Sequence, residues 1–212
     1  MTPDNGHDDC DENRIDEWRE LHDDDSTAGT GETPSFNPPA EFVDQQGRPI
    51  EIRAYDDSEE TYESLVDMYE SFDSGDRAEE LPPGSNAEIC RWLDTILVED
   101  CVNVLAWCGN EVVGHAMLVP DEDAMYELGI FVQQEYQQAG IGTNLLHGLL
   151  RHGQSEGVKE VRLSVEHWNQ AAIALYRKVG FETTVMEAFT LEMSLQLDDL
   201  SECTSSTSED SH

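Results

Sequence analysis

Apolar residues gather between about residue 50 and residue 195, and inside that window their spacing switches repeatedly between period two and the helical period. A strand hides every second side chain and a helix every third or fourth, so each switch marks a new element. Ile50, Ile52 and Ala54 alternate with polar neighbours and read as a strand. Asp56, Asp57 and Ser58 then offer capping oxygens ahead of Tyr62, Leu65, Val66, Met68 and Tyr69 at helical spacing. Residues 81–85, Leu-Pro-Pro-Gly-Ser, break the chain, and Ile89, Trp92, Leu93, Ile96 and Leu97 mark a second amphipathic helix. Residues 102–107 and 112–119, joined at Gly109 and Asn110, form a β-hairpin, and residues 125–132 supply a third antiparallel strand. No internal repeat is visible. The pattern predicts one α/β (α+β) domain over residues 49–196, a mixed, mostly antiparallel sheet flanked by helices.

Outside this window the chain is acidic and polar. Residues 1–48 carry 14 acidic and 3 basic side chains and read as a largely disordered extension. Ile15, Trp18 and Leu21 are spaced there as a short amphipathic helix or a transient turn. Residues 197–212 form an acidic, Ser-rich tail that need not fold. The body remains acidic, because 11 Lys and Arg stand against 47 Asp and Glu for a net charge of −36, and Lys159 and Lys178 are the only lysines. A polyanion would be repelled, which argues against nucleic acid and anionic membrane surfaces as partners. No apolar run approaches the roughly 20 residues of a membrane span, and the first residues do not resemble a secretory signal, so a cytoplasmic location is expected. Cysteines at 10, 90, 101, 108 and 203 are odd in number and lack a C-x-x-C pair, and read as free thiols rather than a disulfide framework or zinc site.

Chemistry concentrates after the third strand. Gly140 and Gly142 stand where a strand gives way to a helix whose apolar face is Ile141, Leu145, Leu146, Leu149 and Leu150. Glycines at a helix start let bare N–H groups approach a ligand, and the dipole there favours an anion. No Lys follows as in a Walker loop, and the third Gly of a dinucleotide fingerprint is missing. A strand at residues 160–165 follows, then Asn169 as an N-cap, a helix carrying Ile173, Leu175 and Tyr176, and a stop at Gly180.

This ordered set resembles the GNAT superfamily of acyl-CoA-dependent N-acetyltransferases. Gln137-Gln-Ala-Gly140-Ile-Gly142 matches its central Gln/Arg-x-x-Gly-x-Gly/Ala motif, and Asn169 with Leu175-Tyr-Arg-Lys-Val-Gly-Phe181 matches its later pattern. The resemblance implies a sheet splayed at its central strand, acetyl-CoA as cosubstrate and no metal. It implies that Ile130, Phe131 and Val132 hold the pantetheine arm through main-chain hydrogen bonds, and that the N–H groups of Gln138, Ala139, Gly140, Ile141, Gly142 and Thr143 hold the pyrophosphate, with Gln137 opening the motif. Asn169 would reach the pantetheine or thioester, or serve only as a helix cap. Tyr176 would protonate the departing thiolate, against the alternative of a core aromatic. Glu127, ten residues ahead of Gln137, matches the base of protein lysine acetyltransferases; desolvation among apolar strand neighbours would suit that role.

The implied acceptor is a primary amine, with a protein lysine favoured and a small-molecule amine open. A non-catalytic acyl-CoA sensor is the alternative. Either a monomer or a homodimer fits, the dimer forming through the last strand at residues 189–195. His147 and His152, five apart, do not share a helix face as zinc ligands would. His115 reads as structural, and His167 and Trp168 sit at the mouth of the expected cleft.

The body's composition also resembles that of cytosolic proteins from salt-accumulating halophiles. Self-repulsion in such a domain is relieved in molar salt, where the screening length falls to about 3 Å. The unfolding midpoint is therefore expected to rise steeply with added KCl. Stability that is unchanged or improved on dialysis into dilute buffer would overturn this reading.

Overall fold

Eight strands form a single sheet in the computed structural model of the chain, which describes residues 38–72, 82–121 and 125–197. In chain order they are β1 (Ala40–Val43), β2 (Pro49–Ala54), β3 (Val102–Cys108), β4 (Glu111–Pro120), β5 (Tyr126–Val132), β6 (Glu160–Glu166), β7 (Glu182–Met186) and β8 (Thr190–Gln196). Across the sheet the order is β1-β2-β3-β4-β5-β6-β8-β7. Every neighbour pair is antiparallel except β5 with β6. Helices α1 (Glu59–Glu70) and α2 (Asn86–Ile96) cover one face, and α3 (Ile141–Ser155) and α4 (Gln170–Val179) cover the other.

The helices form where caps and apolar stripes agree. Ser58 Oγ accepts from the Thr61 N–H at 3.2 Å and opens α1. Leu145, Leu146, Leu149 and Leu150 of α3 are essentially fully buried on the sheet, each contributing about 1.5–3 kcal/mol by burial. Gly148 and Gly153 let α3 sit close, since a Cβ there would come within 2.9 Å of Ile52 and 2.6 Å of Leu118 respectively. Gly180 ends α4 at a φ of 112°.

Three features depart from the sequence expectation. The sheet starts upstream of residue 49, because Asp44 folds the preceding segment back as β1: its Oδ1 accepts from the N–H groups of Gln46 and Arg48, and Arg48 Nε donates to Oδ2 at 2.7 Å. Strand β7 carries no readable apolar period because all five of its residues are exposed. As β7 occupies the edge, β8 is paired on both sides. Among the cysteines, Cys90 and Cys101 are free while Cys108 is disulfide-bonded, which corrects the reading of all five as thiols. A bridge needs only two sulfurs brought close by the fold, and spacing in sequence does not report that. The amphipathic segment at Ile15, Trp18 and Leu21 and the tail beyond residue 197 lie outside the described residues.

A buried polar chain ties the sheet to α1 and α2. His115 on β4 is fully buried. Asn103 Nδ2 donates to the Ile96 carbonyl at 2.8 Å, so its Oδ1 accepts from His115 Nε2 at 2.9 Å, leaving Nδ1 to accept from the Tyr69 hydroxyl at 2.7 Å. Burial drives the imidazole pKa down to about 3 and the Tyr69 phenol well above its ordinary value. The folded state thus excludes a proton that the unfolded chain binds near pH 6.5, so stabilisation by His115 is complete above that pH and is lost as pH falls toward 3. His115→Leu strands two buried polar groups and is expected to cost about 2–4 kcal/mol at neutral pH. In denaturant melts at molar salt, the gap to wild type should narrow as pH drops below about 6.5.

Candidate active site

Strands β5 and β6 pair only at Tyr126 with Val161 and Glu127 with Arg162. Beyond that point β5 stays with β4 and β6 with β8, so the sheet forks. On β5 the Gln133 N–H donates to the Val113 carbonyl at 3.0 Å, and the alternation of an antiparallel ladder then turns the main chain of Phe131 and Gly129 toward β4. The N–H and C=O groups of Ile130 and Val132 therefore face the fork. One of them is already used, since Gln137 Nε2 donates to the Val132 carbonyl at 3.0 Å.

A cavity of about 330 Å³ opens at the fork, lined by Ile130, Val132, Gln137, Gln138, Gly140, Gly142, Thr143, Asn169, Ala171, Ala172 and Leu175. Its end wall is the turn into α3. Gln138 at φ 58° and Gly140 at φ 91° lie in the left-handed region, and between them they fold the backbone into a concave nest. Among the described residues, the N–H groups of Gln138 to Thr143 donate to no main-chain carbonyl; the first that does so is Asn144, to Gly140 at 3.3 Å. Six amide donors at the positive end of a 15-residue helix make a receptor for an anion.

The nest is braced from the β1–β2 turn. The Gln45 N–H donates to the Ala139 carbonyl at 3.0 Å, Arg48 donates to the Glu135 carbonyl at 3.2 Å, and its guanidinium lies 4.1 Å over the Tyr136 ring. Sequence reading missed this brace by assigning residues 44–48 to the acidic extension, although Asp44-Gln-Gln-Gly47 carries a turn signal. It also missed Ala171, Ala172 and Leu175, whose helical spacing after Asn169 puts them along one wall.

The remaining expected residues are distributed around this cavity. Ala139 and Ile141 bury their side chains in the core and contribute main chain to the nest. Asn169 lines the cavity while its Oδ1 caps α4, accepting from the Ala172 N–H at 3.1 Å. Phe131 points away, at the centre of an aromatic cluster with Tyr69, Phe72 and Trp92 at centroid distances of 5.6, 6.3 and 5.8 Å. Tyr176 is 8% exposed in the core beside Phe181, and burial raises its phenol pKa to about 12. Glu127 is exposed rather than desolvated, and lines a separate cavity of about 410 Å³ with Glu160, Arg162, Ser164 and Glu192 among others. Among the described residues no group of three or more His, Cys, Asp or Glu is placed to hold a metal ion.

A forked mixed sheet with an amide nest at the tip of the fork sets a free strand edge beside a row of N–H donors. The chain belongs to the Acetyltransferase (GNAT) family, whose profile it matches over residues 58–181. It is 34% identical over 76 residues to the mycothiol acetyltransferase of Corynebacterium efficiens, covering 35% of this chain and 26% of that protein. It is 38% identical over 69 residues to the ribosomal protein bS18 alanine N-acetyltransferase of Escherichia coli, covering 32% and 45%. The matched stretch thus spans less than half the length of these relatives. Among solved structures, the GNAT domain of S. lividans PAT superposes with a TM-score of 0.62 at 17% identity, over 78% of this chain and 99% of that one. The yncA acetyltransferase of Salmonella typhimurium, solved with its cofactor acetyl-CoA, gives 0.57 at 17% identity, over 77% and 99%.

Gly140 and Gly142 separate backbone strain from space. A Cβ on Gly140 meets only Gln45 Nε2 at 3.6 Å, so Gly140→Ala should cost about 1–2 kcal/mol through its left-handed φ and weaken acetyl-CoA binding. A Cβ on Gly142 makes ordinary contacts with Leu175 and Val132 at 3.7 and 3.9 Å, so Gly142→Ala should fold and bind. Denaturant melts and calorimetric titration of both variants check this contrast.

Proposed function

We propose that this protein transfers an acetyl group from acetyl-CoA to a primary amine by direct attack. The observation that carries the reading is the run of six amides that, among the described residues, donate to no main-chain carbonyl and close a cavity walled by the β5 edge at the fork. Ile130 and Val132 offer main-chain groups to a pantetheine amide, and the nest offers amides to a pyrophosphate. Orientation at such a site is worth about several kcal/mol of the barrier.

In the proposed reaction the amine nitrogen bonds to the acetyl carbonyl carbon, the C–S bond breaks, and the sulfur leaves with the electron pair. Tyr176 supplies a proton to that thiolate; its raised pKa keeps the phenol protonated across the working range. Glu127 stands at the last β5–β6 pair, where the fork begins, and takes the proton that the attacking ammonium must lose. Glu160 and Glu192 share its cavity, and Arg162 there is paired with Asp121 at 2.7 Å, a balance that suits a cationic acceptor. Acceptors therefore include a protein lysine, an N-terminal amine and a small amine. The acidic composition supports a salt-rich cytoplasm as the setting.

Burial of Tyr176 in the core favours a second reading, a sensor that binds acyl-CoA without transfer. Release of free CoA in molar salt with a lysine peptide, an N-terminal alanine peptide or an amino sugar separates the two. For the enzyme, Tyr176→Phe is expected to lower kcat by about 100-fold. Glu127→Gln should do the same, with the deficit narrowing at high pH, where the amine is already neutral. Unchanged kcat in a variant across pH would remove that residue from the mechanism, and binding without turnover for all acceptors would favour the sensor.

A further inference from the structure

The family profile begins at residue 58, yet the turn between β1 and β2, at residues 44–48, lies against the nest. None of those residues lines the cavity, so the turn acts on the site from behind. Two contacts join it to the nest. The Gln45 N–H donates to the Ala139 carbonyl at 3.0 Å, and Arg48 donates to the Glu135 carbonyl at 3.2 Å with its guanidinium 4.1 Å over the Tyr136 ring. Other bonds hold the turn itself in shape. The fully buried Asp44 carboxylate accepts from the N–H groups of Gln46 and Arg48 and pairs with the Arg48 guanidinium at 2.7 Å, and the Gly47 N–H closes back on the Asp44 carbonyl at 3.0 Å.

The Ala139 carbonyl and the Gly140 N–H belong to one peptide unit, and that unit is trans. In a trans unit the two groups point in opposite directions. A donor that draws the carbonyl toward the turn therefore aims the Gly140 N–H away from it, toward the cavity that Gly140 lines. Residue 140 does not fix this orientation alone. Without a Cβ its φ can swing either way at little cost, and the reversed unit would present a carbonyl oxygen where an anion is to bind. Gln138, left-handed at φ 58° without being glycine, belongs to the same loop and needs the same outside support.

We propose that the Gln45 main-chain N–H is a latch that keeps the Ala139–Gly140 peptide with its donor toward the cofactor, and that Gln45 and Arg48 are positioning residues for acyl-CoA. The assignment rests on the acyl-CoA reading above and adds a control of affinity from outside the cavity. The Gln45 side chain takes no part in it, and Arg48 acts by docking the turn on the loop that enters the nest.

Gln45 is the second residue of the four-residue turn from Asp44 to Gly47, a position that accepts proline. Gln45→Pro thus deletes the donor and keeps the turn, whereas Gln45→Ala keeps the donor and deletes the side chain. Two ligands separate the nest from the rest of the site: acetyl-CoA, and S-acetylpantetheine, which has the same arm and thioester but no pyrophosphate. The full chain is titrated in molar salt, by calorimetry with the first and by amide NMR with the second. Gln45→Pro is expected to weaken acetyl-CoA by about tenfold and S-acetylpantetheine by less than about twofold. Gln45→Ala should bind both as wild type does. Arg48→Gln, which loosens the hold of the turn on the nest, should weaken acetyl-CoA alone, and it carries the comparison should the proline variant not fold. Acetyl-CoA binding by Gln45→Pro equal to that of Gln45→Ala, equal losses for the two ligands, or a wild type that binds both ligands alike would overturn the latch while leaving the acyl-CoA reading intact. Binding of neither ligand by folded wild type would overturn both.

Discussion

The structure depends on a pairing that stops. After Glu127 and Arg162, strands β5 and β6 part, and the amide nest and its cavity lie at their divergence. Buried main-chain groups normally find partners, and an unpaired strand edge inside a sheet is tolerated only where a ligand or solvent can reach it. Here the exposed edge belongs to Ile130 and Val132, because ladder alternation gives Phe131 and Gly129 to β4. Helix α3, seated closely by Gly148 and Gly153, fixes the height at which its N-terminus meets that edge.

Two kinds of rigidity hold the fork open. On one side of the sheet, the Tyr69–His115–Asn103 chain and the aromatic cluster around Phe131 tie α1 and α2 to β3, β4 and β5. On the other, the β1–β2 turn grips the nest through Gln45 and Arg48. Gln138 holds a left-handed backbone without being glycine, a strain that such bracing can sustain. Dipoles and amides can attract a polyanion here without much net charge nearby, which suits a surface that is otherwise strongly acidic.

Much of the fold was legible because burial is one-sided. Alternating strands β2 and β6 and the stripes of α3 and α4 read directly, as did the caps at Ser58, Asn169 and Gly180. Strand β7 did not, since nothing buries its side chains, and β1 did not, since its four residues depend on the Asp44 turn rather than on a pattern of their own. At the site, the glycines and Gln137 were legible as a motif. Neither the exposure of Glu127 nor the core position of Tyr176 was, because both follow from which face each element turns inward.

The sequence by itself determined the element types, the glycine motif at Gln137 to Gly142, the acidity of the chain and the family resemblance, all of which follow from local spacing and composition. Tertiary structure decided where β5 leaves β6, which strand closes the sheet edge, and which side chains meet across the fold, as Tyr69 meets His115. The physical reason is that pairing, burial and charge proximity are properties of residues distant in the chain, and local periodicity carries no record of them.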